Sequence, residues 1–139
     1  MSNRYLTPTE RFAWVFLQSL WVGGVWISLL IIFPAIGKTF LSPILVYDVI
    51  AQVESKVIAA VAVCVCLQMF IFFRVSTYKQ LYKTLTGIGM IIVLVLSVIF
   101  LVTHHFHLFD YKLRGTLFIL IALLGLFFTF LFPPWLHKQ

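Results

Sequence analysis

The residue types best suited to chemistry are histidines and carboxylates expected at one edge of an apolar segment. Residues 104–110 read HHFHLFD. On a continuing helix, His104 and His107 would lie one turn apart on one face, with Asp110 a further turn along. Glu54 is expected at the same level in a neighbouring helix. Imidazoles and carboxylates together suit Zn²⁺, Cu²⁺ or Ni²⁺, and an ionisable group on an apolar membrane face is a candidate for function.

Simpler interpretations of the same residues compete with a metal or proton site. Histidines and aromatic residues are ordinary at a membrane–water boundary, and the chain has no His-x-x-x-His or Cys-x-x-Cys spacing. Glu54 can instead form an interfacial ion pair with Arg114 or Lys112, which is the interpretation we favour for this carboxylate. We therefore predict no bound metal and no cofactor. His104, His107, Asp110 and Glu54 are the candidates if such a site exists.

Catalytic motifs are missing from the sequence. There is no nucleotide-binding glycine loop, and Ser55 and Ser97 have no recognisable nucleophile setting. A haem with two axial histidines needs them on facing helices at similar depth, whereas three histidines lie together and His137 is expected on the other side of the membrane. The sequence therefore predicts a protein that is not an enzyme.

Four long apolar segments must position these residues. The first contains no Asp, Glu, Lys or Arg and exceeds the ~20 residues that a helix needs to cross a bilayer. We predict transmembrane helices at residues 12–36, 52–73, 84–104 and 115–132 within one domain of 139 residues. With 63% hydrophobic and 10% charged residues, the chain has too few charges to cover a water-soluble domain. The predicted fold is all-α, a membrane-embedded four-helix bundle with up-down-up-down topology.

The start and the end of the first helix have recognisable signals. Thr7, Pro8 and Glu10 match a capping box with proline at the first helical position. Pro34 lies near the other end, where its missing N–H and its ring are expected to kink or stop the helix.

Small residues within the first helix indicate a packing surface. Ser19 and Gly23 are four residues apart, as are Gly24 and Ser28. Small residues at this spacing allow another helix to approach closely in lipid, where apolar burial alone drives no association. We therefore predict helix packing at these four residues.

Two glutamines fall within the predicted transmembrane segments. Gln18 lies in the first segment and Gln68 in the second. We expect Gln18 to face the interior of the bundle, because an amide among lipid tails would lack hydrogen-bond partners.

The positive charge of the chain indicates topology. The net charge is +6, but the basic residues stand singly at the ends of apolar runs, so we predict no nucleic-acid partner. A cytoplasmic N-terminus places six Lys and Arg residues inside (Arg4, Arg11, Arg74, Lys79, Lys83, Lys138) and four outside (Lys38, Lys56, Lys112, Arg114). The positive-inside rule then predicts both termini in the cytoplasm, with the bacterial inner membrane as the location.

The motif LWVGGVW at residues 20–26, followed by FPAIGK at residues 33–38, resembles the opening of the transmembrane protein 205-like family. These are small bacterial and eukaryotic polytopic membrane proteins, and the four-span layout extends the likeness along the chain. The resemblance implies a helical bundle in a membrane and carries no established reaction. A weaker similarity is to copper-resistance and haem-biosynthesis membrane proteins, whose first helix pairs a histidine with a similar Trp-Gly-Gly stretch. Gln18 stands where that histidine is expected.

Two functions from different classes follow from these features. We favour an accessory or scaffold component that lies in the lipid bilayer and associates through its helices with a membrane-protein partner or a second copy of itself. The alternative is a transport or metal- and proton-handling protein that uses Glu54 with His104 and His107. A scaffold should tolerate loss of Glu54, whereas substrate flux through a transporter should depend on it.

Overall fold

The computed structural model describes residues 7–39, 42–75, 85–106 and 110–131. These residues form α1 (Pro8–Ile27), a π-helical turn (Ser28–Ile32), α2 (Phe33–Gly37), α3 (Pro43–Val75), α4 (Leu85–His105) and α5 (Tyr111–Leu131). No strand occurs within the described ranges, so the predicted all-α class is confirmed for them.

Four stretches are long and apolar enough to cross a membrane: Pro8–Gly37, Pro43–Arg74, Leu85–His105 and Lys112–Thr129. The first agrees with the predicted span 12–36 preceded by its capping box, whereas the second begins nine residues before the predicted span 52–73. α3 has 33 residues and is therefore about 50 Å long, against ~30 Å for the hydrocarbon core of a bilayer. Asp48, which precedes the predicted second segment, thus belongs to the same uninterrupted helix as the segment itself.

The first helix begins at the predicted capping box. The Thr7 hydroxyl accepts a hydrogen bond from the backbone N–H of Glu10 at 3.3 Å, and the Glu10 carboxylate accepts one from the backbone N–H of Thr7 at 2.9 Å. Pro8 occupies the start of the helix, where no N–H is needed. The capping-box prediction is confirmed.

The same helix widens ahead of Pro34 and then continues. In the π-helical turn the backbone N–H of Phe33 bonds to the carbonyl of Ser28, and α2 carries the helix on to Gly37. Pro34 has no N–H to donate to the Leu30 carbonyl, and on a regular helix its ring would clash with that carbonyl. A wider turn relieves this conflict. The disturbance predicted at Pro34 therefore takes the form of an extra residue in the preceding turn.

The four long helices form a closed bundle. α1 and α4 each pack on both α3 and α5. Branched and aromatic side chains that are at most 1% exposed fill the centre: Val25, Ile58, Val61, Val65, Val93, Phe100, Phe118 and Ile121. Large apolar side chains also cover the outside, including Phe12 (73% exposed) and Leu30 (67% exposed). An exterior of this kind suits lipid, because soluble proteins expose large contiguous apolar patches only rarely.

Glycines allow close helix approach at two places in α4 and α5. A Cβ atom at Gly125 of α5 would lie 2.6 Å from the ring of Trp21. A Cβ atom at Gly89 of α4 would overlap the ring of Phe128. Both aromatic rings therefore occupy space that any larger residue would take.

The close approach predicted for the first helix does not occur at its glycines within the described part of the chain. A Cβ atom at Gly23 or Gly24 would meet nothing within 4 Å. Ser19 is exposed, whereas Ser28 is 1% exposed and its hydroxyl donates a hydrogen bond to the Gly24 carbonyl at 2.8 Å. Space beside these glycines is left uncovered by the other described helices.

Candidate functional site

Gln68 of α3 is the most extensively hydrogen-bonded side chain of the bundle interior. It is 0% exposed, and its oxygen accepts a hydrogen bond from the indole N–H of Trp21 at 3.1 Å. Its amide nitrogen donates to the Trp14 carbonyl at 3.3 Å and to the Gln18 side-chain oxygen at 2.9 Å. One buried amide therefore joins three residues of α1 to α3.

The hydrogen bonds continue from Gln18 to α5. The Gln18 amide nitrogen donates to the Thr129 hydroxyl at 3.1 Å, and that hydroxyl donates to the Gly125 carbonyl at 2.9 Å. α1, α3 and α5 are thus joined by one continuous chain of polar contacts. Both glutamines that the sequence placed within the apolar segments belong to it.

The direction of this hydrogen-bond chain is set by Trp21. An indole N–H can only donate, so the atom of Gln68 that faces it must be the oxygen. Both N–H groups of Gln68 are then used, and Gln18 must present its own oxygen to them. The Gln18 amide nitrogen is left with two N–H groups, of which Thr129 accepts one. The second N–H of Gln18 remains available to another acceptor.

A cavity of about 260 Å³ lies beside this chain of hydrogen bonds. Its lining comes from all four long helices: Trp14, Val15, Gln18, Ser19, Trp21, Val65, Thr86, Met90, Val93, Phe128 and Thr129. Thr86 is 5% exposed, and its hydroxyl has no hydrogen-bond partner in the described structure. A buried polar group without a partner costs about 1–3 kcal/mol, so this hydroxyl requires an explanation.

A second polar cluster joins α3, α4 and α5 at the opposite end of the bundle. Glu54 is 7% exposed, and the Arg114 guanidinium is close enough to attract it electrostatically. The same guanidinium lies 3.3 Å from the Nδ1 atom of His104, whose ring stacks on Phe100. The Nε atom of Arg114 is buried and has no hydrogen-bond partner among the described residues. Arg114 is one of the two cations that the sequence offered to Glu54.

The structure does not bring the four candidate metal ligands together within its described ranges. Groups of three His, Cys, Asp or Glu side chains placed to hold a metal do not occur in residues 7–39, 42–75, 85–106 and 110–131. His107 lies outside those residues. Asp110 is exposed at the start of α5, where its backbone carbonyl accepts from Leu113 and Arg114. Of the four candidates, His104 contacts Arg114, and Glu54 lies within the electrostatic influence of the same guanidinium.

Sequence reasoning missed Trp21, Thr86 and Thr129 as parts of the interior polar site. A signal for Trp21 exists, since Trp14, Gln18 and Trp21 follow the spacing that places residues on one helix face. The two threonines carry no such signal. A threonine in an apolar helix usually bonds to its own backbone, and only the assembled bundle shows that both face the cavity.

Comparisons with known proteins return nothing for this chain: no protein-family model, no curated protein and no solved structure matches it. The resemblance of residues 20–26 and 33–38 to the transmembrane protein 205-like family stays a prediction from those residues.

Proposed function

We propose that the chain is an integral protein of the bacterial inner membrane, with four antiparallel spans and both termini in the cytoplasm. Gln18, in the first half of the stretch Pro8–Gly37, contacts Gln68, late in α3, and Thr129, late in α5. His104, at the end of α4, contacts Arg114, near the start of α5. These contacts support up-down-up-down topology, and the excess of positive residues on one side supports the cytoplasmic termini.

Within the membrane, the protein is a non-enzymatic accessory component that associates through the outer face of α1. The observation that carries this proposal is the uncovered space beside Gly23. Gly23 follows Trp14 by nine residues, about two and a half helical turns, so it lies on the face opposite the core. Leu20 and Ile27 on the same side are 54% and 52% exposed.

A glycine on this face is useful to a second helix. Glycine in a helix interior costs about 1 kcal/mol relative to alanine, and the described part of this chain packs nothing against Gly23. In lipid, association between helices depends on close backbone approach and packing, which a missing side chain permits. A transmembrane helix of a partner, or of a second copy, fits this requirement.

Gly23→Leu tests the proposal directly. The new side chain would enter open space within its own chain, so the thermal unfolding midpoint should be unchanged or higher. Co-purification of a partner or of a differently tagged copy in mild detergent should fall at least about tenfold, the equivalent of about 1.4 kcal/mol. Gly115→Leu is the matched control, because a Cβ atom at Gly115 also meets nothing within 4 Å. Unchanged assembly in Gly23→Leu, or equal loss in both variants, contradicts the proposal.

Proton or ion handling at Glu54 is the second candidate. It is favoured by one observation, a carboxylate only 7% exposed within a predicted span and under the electrostatic influence of Arg114. Intramembrane ionisable groups commonly mark ion pathways. Proton flux into liposomes that carry the purified chain should then disappear in Glu54→Gln and persist in Asp48→Gln, a variant of an exposed carboxylate on the same helix. Flux equal to that of empty liposomes rejects this candidate and leaves the accessory role standing.

A further inference from the structure

We propose that the interior cavity binds the head of a neutral lipophilic carbonyl compound, such as a quinone ring or a fatty acyl ester. The tail of this compound leaves the bundle between α1 and α5. This binding site is independent of the association proposed for the outer face of α1.

The lining of the cavity selects an uncharged, mainly apolar ligand. Its walls include Trp14, Trp21 and Phe128, and no Asp, Glu, Lys, Arg or His is among the lining residues that the structure describes. A charged head would therefore lose its hydration without gaining an ion pair. Ligand sites are typically apolar with a few placed polar groups, which matches this composition.

The volume of the cavity limits the size of the head. A cavity of about 150 Å³ in another protein accommodates benzene, whereas drug-sized ligands occupy about 300–1,000 Å³. The cavity here, about 260 Å³, lies between these values. It can hold a substituted ring or the ester end of an acyl chain, but not a whole lipid.

Two polar groups of the lining define the hydrogen bonding of the ligand. The second N–H of Gln18 can only donate, since the Gln18 oxygen already accepts from Gln68. The Thr86 hydroxyl is buried without a partner in the described structure and can also donate. The Gln18 N–H requires an acceptor, and a carbonyl oxygen with two lone pairs can accept from both groups without carrying a charge.

Some residues that line the cavity are also exposed, and they show where a ligand can enter. Val15 and Ser19 of α1 and Thr129 of α5 line the cavity and are also exposed on the outside of the bundle. The opening between α1 and α5 therefore faces the surroundings of the bundle. A lipophilic molecule in the bilayer can insert its head sideways and leave its tail in lipid.

Binding can be measured with three probes of similar tail length on the purified full chain in detergent. Decyl-1,4-benzoquinone and methyl decanoate carry carbonyl groups, and decylbenzene has none. A bound ligand raises the thermal unfolding midpoint, and quinone binding also quenches the emission of Trp14 and Trp21, which line the cavity. At least one carbonyl probe should bind saturably, and decylbenzene should bind at least about tenfold more weakly. Which carbonyl probe binds distinguishes a quinone site from a lipid-ester site.

Thr86→Val tests the polar part of the site without opening a void. It should weaken binding of the carbonyl probe about three- to tenfold, as expected for one hydrogen bond. The ligand-free protein should be as stable as the wild type or more stable, because an unpartnered buried hydroxyl has been removed. Thr116→Val is the matched control, since Thr116 is exposed and bonds to its own helix at the Lys112 carbonyl. It should leave binding unchanged.

Ser19→Leu tests the entrance. The larger side chain should obstruct the opening and reduce ligand binding at least tenfold, whereas Ser19→Ala should leave binding unchanged.

Three results would overturn the proposal. These are the absence of saturable binding by both carbonyl probes, equal affinity for decylbenzene, and equal affinity of the wild type and Thr86→Val.

Discussion

Replacing Gln68 by leucine is the sharpest test of the interior hydrogen-bond chain. The substitution keeps a side chain of similar size at a position that is 0% exposed. It removes three hydrogen bonds, to Trp21, Trp14 and Gln18, at 3.1, 3.3 and 2.9 Å. The indole N–H of Trp21 is then left without an acceptor inside the bundle.

The magnitude follows from the number and kind of these contacts. Hydrogen bonds between membrane helices are worth about 0.6 kcal/mol each on average, with a maximum of about 1.7. Three such bonds contribute about 2 kcal/mol. The unpaired Trp21 N–H adds to the loss, and the more apolar leucine side chain offsets part of it. We therefore expect Gln68→Leu to lower the free energy of unfolding by about 2 kcal/mol, or about 30-fold in the equilibrium constant.

Unfolding in mixed micelles with increasing dodecyl sulfate provides the assay, followed by tryptophan emission. Gln52→Leu is the matched control, because Gln52 lies on the same helix but is exposed, and its change should stay within about 0.5 kcal/mol. Gln18→Leu leaves the Gln68 bonds to Trp21 and Trp14 in place but removes the bonds to Gln68 and Thr129, so it should cost about two-thirds as much as Gln68→Leu. A loss below 0.5 kcal/mol in Gln68→Leu, or an equal loss in Gln52→Leu, would refute the reasoning.

Two further predictions concern helix packing and the charged cluster. Gly125→Ala should destabilise the bundle by about 1–3 kcal/mol in the same unfolding assay, because its Cβ atom would lie 2.6 Å from the Trp21 ring. Gly115→Ala should be neutral or stabilising, and equal losses in both would exclude the packing explanation. Arg114→Gln should cost more than the double variant with Glu54→Gln, since removing only the cation leaves a buried carboxylate without its counter-charge. A double-mutant cycle with zero coupling energy would show that the two groups do not interact.

Much of the fold could be predicted from hydropathy alone. Uncharged apolar runs of about 20 residues have few structural alternatives, because a backbone in lipid must satisfy its own hydrogen bonds. Hydropathy alone does not locate the ends of the helices, as α3 shows. Its first turns contain Asp48, Gln52 and Lys56, so hydropathy places the span later than the start of the helix at Pro43.

The candidate site was less predictable, for a physical reason that the glycines illustrate. Small residues show that a neighbouring helix can approach closely, but they do not show which helix does so. Gly23 and Gly24 have the expected spacing and meet no described neighbour, whereas Gly89 and Gly125 receive aromatic rings from other helices. Gln18 was different, because the high cost of an amide in lipid leaves the interior as its one favourable direction. Which residue of another helix becomes the hydrogen-bond partner of Gln18 depends on how the helices are rotated relative to one another. The residues around Gln18 do not indicate this rotation, so Thr129 could not be predicted.

The wide turn ahead of Pro34 rotates the end of the first helix, so that residues before and after the turn face the same side of the bundle. An α-helix rotates by about 100° per residue, so Phe33, eight residues after Val25, would point about 80° away from it on an unbroken helix. The extra residue in the turn brings Phe33 back to the helix face of Val25. Phe33 packs against Phe118, with ring centroids 5.4 Å apart and ring planes tilted by 55°. Deleting exposed Ile31 should therefore keep Phe33 facing Phe118, but it should also restore the clash between the Pro34 ring and the carbonyl four residues earlier and so destabilise the helix. A deletion earlier in α1 would instead rotate Phe33 away from Phe118.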